Sequence, residues 1–182
     1  VPGPDADGVY GGRPNHAHPD VVRGGAAAGK AVLSEKSLTT RMATARELVD
    51  AVRDKVFFVE GLMYRAHPVM QRFVDRLSEE RTGTVTAVHV RYAADIKSVV
   101  NPLGRGTIYN LGCYPVSLLH LIIQSAFGDD VFERRELAGH GTLTPDETVG
   151  SATASVRFAN GVTATVASTD DYGMAFNVGV LT

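Results

Sequence analysis

The sequence predicts an α/β region over residues 1–61, followed by an α+β region over residues 62–182 that contains a mostly antiparallel sheet. Two observations support this order. In the first region, short apolar runs alternate with stretches of helical periodicity, as in parallel strand–helix–strand units. In the second region, polar and apolar residues alternate as strands with one buried face require. The change between the two patterns lies near Gly61.

The first region predicts three parallel strands joined by two helices. Pro19 suits the first position of a helix that ends near Gly29, and Thr39 or Thr40 is expected to cap the second helix. That helix has four apolar residues on one face: Ala45, Leu48, Val49 and Val52. Three short apolar runs have the length of buried strands: residues 8–11, 31–34 and 56–59.

The second region predicts strands around one long apolar helix. Asn160 and Gly161 are expected to supply the two positive-φ positions of a tight hairpin, after which Val162, Ala164 and Val166 resume the alternation. The elements expected in this region are a helix at residues 68–80, a strand at 84–92, a helix at 108–127 and a strand at 151–158.

The composition restricts the function classes. The chain has 182 residues, of which 44% are hydrophobic and 21% charged, as in ordinary globular proteins. A formal net charge of −2 argues against a nucleic-acid partner, because phosphate binding needs a concentrated basic face. The single cysteine excludes a disulfide framework. No apolar run is long enough for a bilayer and no signal peptide is recognisable, so a cytoplasmic protein is expected.

The first candidate for chemistry is Lys36, which with Glu35 directly follows the strand predicted at residues 31–34. Ligands of doubly wound sheets bind outside the carboxyl ends of the strands, so Lys36 would project into that crevice. There it could hydrogen-bond a substrate hydroxyl and stabilise a developing alkoxide. The alternative, which position alone favours, is an ordinary solvated lysine in a loop.

The second candidate is the glycine-flanked segment of residues 104–114. Asn110 and Tyr114 are four residues apart, so a continuous helix would place them on one face. An amide and a phenol there could orient a sugar hydroxyl and relay its proton. The alternative is a buried helix whose tyrosine packs as an aromatic ring with a satisfied hydroxyl, and the spacing leaves both open.

The third candidate is the His-x-His pattern of His16 and His18. Several metal-dependent hydrolases hold their first metal in this way, since neutral imidazoles suit zinc. The other histidines follow an α+β pattern instead of the barrel that such enzymes need. We therefore expect no metal site, and we expect this loop to line a cofactor crevice.

Glu60 and Arg65 lie beyond the end of the third predicted strand. Arg65 could hold a phosphate or a sugar hydroxyl, with Glu60 as its partner. The alternative is an ion pair at a domain junction. Neither a Gly-x-Gly-x-x-Gly nor a Gly-x-x-x-x-Gly-Lys-Ser/Thr sequence occurs, so these residues alone do not identify a dinucleotide site.

Together, four segments resemble the glucose-fructose oxidoreductase/inositol dehydrogenase (Gfo/Idh/MocA) family. Residues 9–18 are similar to its fourth Rossmann strand and Thr-Pro-Asn-x-x-His loop. Residues 28–38 resemble its Gly-Lys-His-Val-x-x-Glu-Lys-Pro-Leu signature, and residues 60–68 the segment that leads into its second domain. Residues 104–114 resemble its Gly-Gly-Gly-x-x-x-Asp-x-Gly-x-His stretch. The order of these four segments and the spacing between them agree with the family pattern over nearly the whole chain.

The resemblance implies the C-terminal part of a Rossmann domain at residues 1–61 and an open-faced sheet domain at residues 62–182. It implies hydride transfer between NAD or NADP and a hydroxyl-bearing carbon of a sugar, cyclitol or diol. Lys36 would lie beside nicotinamide and substrate. Tyr114 would stand where most members carry a proton-transferring histidine. A tyrosine there is typical of the dihydrodiol dehydrogenase and glucose-fructose oxidoreductase branches, which favours aldoses and diols, often with NADP.

The same resemblance assigns the remaining site residues. Those implied to contact the cofactor are Pro14, Asn15, His18, Glu35, Lys36 and Arg65. Those implied to contact the substrate are Lys36, Asn110 and Tyr114. The exposed sheet face suggests a homodimer or homotetramer.

The chain also departs from the family pattern. Ser37 replaces a proline, Arg105 a glycine and Asn110 an aspartate. The portion that should hold the glycine fingerprint is missing, so we expect this chain to be the middle and larger part of an NAD(P)-dependent oxidoreductase. The alternative is a non-catalytic relative that uses its sheet domain for self-association or sugar binding.

Overall fold

The computed structural model describes residues 5–79 and 82–182. Contacts divide the chain into two compact units. The first runs through Leu62 and includes Asn101–Arg105, and the second comprises Met63–Val100 and Gly106–Thr182. The division into functional domains after residue 61 stays a prediction. In the described part of the chain, no helix is long and apolar enough to cross a membrane.

The first unit is built on a three-stranded parallel sheet. Strand β1 (Gly8–Gly11) pairs with β2 (Ala31–Ser34), which in turn pairs with β3 (Phe58–Glu60). Helix α1 (His18–Ala27) connects β1 to β2, and α2 (Met42–Val52) connects β2 to β3. This alternation confirms the predicted α/β region. Because the strands run the same way, the loops that follow them share one edge of the sheet.

The core of the first unit lies between the two helices and one face of the sheet. Helix α1 can approach β2 because Gly25 has no side chain: a Cβ there would lie 2.5 Å from Cγ2 of Val32. Four apolar side chains form the buried cluster: Val22, Val32, Leu48 and Val52.

The other face of this sheet is exposed within the described residues. It carries Tyr10, Leu33 and Val59, which pair with one another across the three strands. The prediction that residues 8–11 form a buried strand is therefore wrong, since Tyr10 alone is 64% exposed. A buried strand has both faces covered, whereas helices α1 and α2 cover only one face of this sheet.

Two boundaries in the first unit differ from the predictions. Helix α2 follows Arg41, and no side chain caps it. The hydroxyl of Thr39 instead accepts the N–H of Arg41 at 3.3 Å, which stabilises the turn before the helix. Strand β3 begins at Phe58, two residues later than predicted, because Asp54 at φ 57° and the N–H of Val56 still belong to the turn that ends α2.

The second unit contains a five-stranded sheet in the order β5-β6-β7-β4-β8. Three of its four neighbouring pairs are antiparallel, and β4 and β7 run parallel. The predicted mostly antiparallel sheet is confirmed. Its strands are β4 (Ala87–Ala94), β5 (Arg135–Leu143), β6 (Val149–Phe158), β7 (Thr163–Thr169) and β8 (Met174–Leu181).

One face of this sheet forms the main core, against α5 (Cys113–Phe127), and α3 (Pro68–Ser78) packs on α5. Within α3, Val69 is 60% exposed and Met70 packs against the core. Position 80, the predicted end of that helix, lies outside the described residues. The core includes Val88, Val90, Leu118, Ile122, Ile123 and Phe158.

The helix predicted over residues 108–127 is broken in two. Helix α4 (Thr107–Asn110) is one turn long, and α5 begins at Cys113. Pro115 has no N–H to donate to the carbonyl four residues earlier, and its ring would crowd that carbonyl. A Cβ on Gly112 would lie 2.6 Å from the carbonyl oxygen of Ile108, so the break requires a glycine. The prediction that Asn110 and Tyr114 share one helix face is therefore wrong.

The turn between β6 and β7 also differs from the predicted hairpin. Gly161 has a positive φ of 88°, and Asn160 does not. The N–H of Gly161 donates to the carbonyl of Phe158 at 3.0 Å, and the N–H of Phe158 donates to the carbonyl of Val162 at 2.9 Å. This is the pattern of a three-residue loop that ends in a glycine. The side chain of Asn160 accepts the N–H of Val162 instead.

Candidate active site

Two loops of the first unit lie at the carboxyl edge of its parallel sheet. The loop after β1 contains Pro14 and the buried Asn15, which begins a short 3-10 helix. Glu35 follows β2, and its Oε1 accepts a hydrogen bond from the hydroxyl of Tyr10 at 3.0 Å. Because β1 and β2 are neighbours, Pro14, Asn15, Glu35 and Lys36 come to one edge.

Lys36 opens the loop between β2 and α2 and is partly exposed. Its backbone N–H donates to Oε2 of Glu35 at 3.3 Å, and the next residue, Ser37, is buried. The N–H of Leu38 donates to Oε1 of Glu60 at 2.8 Å. The backbone around Lys36 is thus tied to carboxylates at the ends of two neighbouring strands, which fixes where the lysine leaves the sheet.

Glu60 is an unusual carboxyl group, because it is partly buried at the end of β3. Burial raises its pKa above the ordinary value of 4.5, while the N–H of Leu38 and the nearby ring of His18 oppose that rise. Arg65, its predicted partner, belongs to the second unit, where it is exposed in the 3-10 helix Met63–Ala66. A contact of Arg65 with a cofactor stays a prediction.

Replacing Glu60 by glutamine should stabilise the protein near neutral pH. A carboxyl group whose folded-state pKa is raised favours folding below its ordinary pKa, and this contribution is lost as the pH rises through the raised value. Glutamine keeps an acceptor for Leu38 but carries no charge. The free energy of unfolding of Glu60→Gln minus that of the original protein should therefore rise as the pH increases above about 4.5. Chemical denaturation at several pH values measures this difference. The control is Glu136→Gln, which changes an exposed carboxyl group. An equal effect of both changes would contradict a raised pKa for Glu60.

His18 is fully buried, with 0% of its surface exposed. Its Nδ1 lies 2.6 Å from the carbonyl oxygen of Ser37, and its Nε2 lies 2.5 Å from that of Arg13. Both ring nitrogens thus face backbone carbonyls of the two loops at the sheet edge. Among the described residues, no group of three or more His, Cys, Asp or Glu side chains could hold a metal ion. A cofactor contact of His18 stays a prediction; what is observed is a link from the β1 loop to the segment after Lys36.

We expect His18→Leu to lower the free energy of unfolding by about 1–3 kcal/mol, because the buried carbonyl of Ser37 loses its hydrogen-bond partner. Leucine fills most of the volume, so the loss reports hydrogen bonding more than packing. The matched control is His16→Leu in the same loop, where the side chain is exposed. Denaturant titration of both variants should leave the control within about 0.5 kcal/mol of the original. Equal stabilities for the two variants would remove His18 from this role.

Tyr114 and Asn110 lie in the second unit, and both are buried, with 8% and 9% of their surfaces exposed. Tyr114 occupies the first turn of α5, immediately after the break that separates it from Asn110 in α4. The Nδ2 of Asn110 donates to Oδ2 of Asp170 at 2.7 Å. The two residues are therefore positioned separately, Tyr114 by helix α5 and Asn110 by a carboxylate at the end of β7.

The ring of Tyr114 is packed against two other tyrosines. Its centroid lies 5.2 Å from that of Tyr92 at an angle of 73°, and 6.4 Å from that of Tyr64. The hydroxyl of Tyr64 lies 2.8 Å from that of Ser117, and burial raises the pKa of the Tyr64 phenol. These contacts hold the Tyr114 ring in one orientation.

Three residues of this arrangement were missed from the sequence: Tyr64, Tyr92 and Asp170. Each meets the segment around Tyr114 across a sequence separation of 22 or more residues, and local periodicity does not report such pairings. Asp170 stands next to Asp171 after a strand, where two acidic residues are more often an exposed turn.

A cavity of about 380 Å³ lies within the second unit beside the same segment. Ile108, Gly112, Pro115 and Val116 line it from the helices. Strands β5, β6 and β7 close the other side with small and apolar residues, such as Gly139, Ala152, Ala154 and Val166. Its size suits a small organic ligand.

The sequence matches a model of the GFO/IDH/MocA C-terminal domain over residues 70–176, which is more than half of the chain. The chain belongs to the Gfo/Idh/MocA family. The members to which it is similar include a trans-1,2-dihydrobenzene-1,2-diol dehydrogenase of Xenopus laevis, 32% identical over 80% of this chain and 45% of that protein. Another is a D-xylose 1-dehydrogenase (NADP(+)) of Haloferax volcanii, 33% identical over 64% of this chain and 38% of that protein.

Solved structures of the family share the fold. A levoglucosan dehydrogenase in complex with NADH and levoglucosan has a TM-score of 0.81 and 19% identity, and covers 98% of this chain and 52% of its own. A 3-ketoreductase from Actinomadura kijaniata with bound NADP and TDP-benzene has a TM-score of 0.81 and 25% identity, over 98% and 54% of the two chains. The chain therefore spans about half the length of the family members it matches.

Proposed function

We propose that this chain is part of an NAD(P)-dependent oxidoreductase that acts on a hydroxyl-bearing carbon of a sugar, cyclitol or diol. The observation that carries the proposal is the fixed place of Lys36 at the carboxyl edge of a parallel sheet, in a family member whose second unit holds Tyr114 in a rigid aromatic setting.

The residues at the sheet edge fit a nicotinamide dinucleotide by their chemistry. An ammonium, a carboxylate and an amide follow two adjacent parallel strands at Lys36, Glu35 and Asn15. Such donors and acceptors suit ribose hydroxyls and a carboxamide, and the carboxyl edge of a parallel sheet is where dinucleotides bind. Pro14, His18 and Arg65 complete the proposed cofactor contacts. The cofactor, when bound, supplies the hydride acceptor.

The chain's own residues would then handle the proton and the charge. Lys36 donates a hydrogen bond to the substrate hydroxyl and stabilises the oxygen as negative charge develops on it. During oxidation the phenolate form of Tyr114, favoured by the ammonium of Lys36, accepts the hydroxyl proton, and during reduction the phenol returns it. Asn110 orients the substrate. Because the tyrosine ring is held by its neighbours, no reorientation of the acid–base group is needed in the reaction.

The substrate class follows from the relatives. The Xenopus laevis relative is named for a cyclic diol and the Haloferax volcanii relative for an aldose with NADP(+). Tyr114, in place of the histidine that most members carry, points to the same branches. We therefore propose aldoses and cyclic diols as substrates and a homodimer or homotetramer in the cytoplasm, in contact with neither nucleic acid nor membrane.

The test of this function is a titration of the full-length protein with NADH and NADPH. The fluorescence anisotropy of the nucleotide gives the signal. We expect saturable binding of at least one nucleotide. Reduction of the matching oxidised nucleotide should then be seen with at least one member of a panel of aldoses and trans-diols. Binding of neither nucleotide would contradict the proposal.

The second candidate is a non-catalytic relative that uses its sheet for self-association or sugar binding. The open face of the five-stranded sheet favours it, because β6 and β7 place serine and threonine side chains there: Ser151, Thr153, Ser155, Thr163 and Thr165. This candidate expects sugar binding without nucleotide binding in the same titrations.

A further inference from the structure

Asp170 lies just beyond β7 and is 2% exposed, which is rare for a carboxylate. Its backbone N–H donates to the carbonyl of Gly150 at 3.0 Å. Its backbone carbonyl accepts the N–H groups of Ile96 and Lys97, both at 3.1 Å. The side chain is directed elsewhere, since Oδ2 accepts the amide of Asn110 at 2.7 Å. One residue therefore ties together β6, the loop after β4, and α4.

Helix α4 and the residues that follow it depend on contacts with other parts of the second unit. Helix α4 has four residues, and a single helical turn is unstable without outside contacts. Helix α4 ends at the break formed by Leu111 and Gly112. The N–H groups of both residues donate to the carbonyl of Thr107. The bond between Asn110 and Asp170 is thus an anchor for the short helix that leads directly into Tyr114.

We propose that Asp170 is a positioning residue: through Asn110 it fixes α4 and the following break, and so sets the place of the Tyr114 hydroxyl. This inference rests on the proposed function only where Tyr114 is taken as the acid–base group. A displacement of about 1 Å in such a group can cost about 10²-fold in rate, so an anchor for this segment has direct consequences for turnover.

The residue types at the two positions are complementary. An amide at 110 offers N–H donors, and the carboxyl oxygen of Asp170 accepts one of them at 2.7 Å. A carboxylate at 110 would place two acceptors 2.7 Å apart with little solvent. We therefore expect Asn110 and Asp170 to tolerate exchange only together, because either change alone removes the pairing of a donor with an acceptor.

The neighbouring carboxylate provides a matched control. Asp171 is adjacent in sequence, but its Oδ1 forms an ion pair with Lys97 at 3.0 Å, and the Lys97 side chain is 53% exposed. A pair of this kind contributes little to stability. Asp171→Asn changes the same chemical group one residue away without touching Asn110.

The test compares Asn110→Asp, Asp170→Ala and the inverted double variant Asn110→Asp/Asp170→Asn in the full-length protein. We expect each single change to lower kcat by at least about tenfold. The NAD(P)H dissociation constant should stay within about twofold, because all the proposed cofactor contacts except Arg65 lie in the first unit. The double variant restores a donor facing an acceptor with the roles reversed. Its kcat should recover most of the loss seen in Asn110→Asp, and Asp171→Asn should behave like the original protein.

Two outcomes would overturn the inference: full activity of Asn110→Asp, or a double variant no better than that single variant. Thermal unfolding of the same proteins supplies an independent measurement, in which the double variant should again exceed Asn110→Asp. If the original protein binds no nucleotide and turns over no substrate, the proposed function fails. The unfolding data then still decide whether the two residues are coupled, and additive changes would reject the pair.

Discussion

Lys36→Ala in the full-length protein is expected to lower turnover by about 10²- to 10⁴-fold, the usual contribution of a positioned acid–base or electrostatic group. The fold should remain intact. The neighbouring backbone is held by hydrogen bonds to the carboxylates of Glu35 and Glu60, and neither bond involves the lysine side chain. The loss should appear in kcat with cofactor affinity much less affected, because the ammonium acts on charge that develops during the reaction.

Two companion variants make this result specific. Lys36→Arg keeps the positive charge, but its planar group needs a different geometry from the ammonium, so most of the loss should persist. Lys55→Ala removes an exposed lysine from the turn before β3 and should leave turnover unchanged. Normal turnover in Lys36→Ala would show that Lys36 is an ordinary solvated lysine with no part in the reaction.

Tyr114→Phe is expected to lower turnover by a similar factor of about 10²- to 10⁴-fold, since it removes the proton-transferring hydroxyl and nothing else. The phenylalanine ring keeps the edge contact with Tyr92 and the packing against Tyr64, so the variant should still fold. Steady-state kinetics together with denaturant titration separate the two effects.

Tyr109→Phe is the matched control for this change. It removes a phenolic hydroxyl from the same segment, within α4, and lies five residues from Tyr114. Turnover of that variant should stay close to that of the original protein. If Tyr114→Phe retained full activity, or if both variants lost activity equally, Tyr114 would have no special part in the chemistry.

The local part of the fold could be predicted from the sequence because it depends on local patterns. Periodicity and turn residues predicted the parallel strand–helix order of the first unit and the alternating strands of the second. The wrong predictions arise where a single residue interrupts a periodic pattern of apolar residues. Pro115 breaks an apolar helix that is otherwise continuous, and Asp54 extends a turn into the start of a predicted strand.

The site was only partly predictable, for a different reason. Lys36 and Tyr114 could be named because their surroundings along the chain carry motifs. The partners that hold them could not, since the hydrogen bond between Asn110 and Asp170 spans 60 residues and that between His18 and Ser37 spans 19. His18 illustrates the limit: its type and loop suggested a ligand contact, while its burial and its two carbonyl partners depend on how separate strands pack.

The central claim is that Lys36 and Tyr114 act on the same alcohol carbon. A crystal structure of the full-length protein with oxidised cofactor and a bound diol or aldose measures this directly. We predict that Nζ of Lys36 and the hydroxyl oxygen of Tyr114 both lie within about 3.2 Å of one substrate hydroxyl. A complex in which these two atoms face separate regions, or in which the substrate contacts neither, would contradict the account.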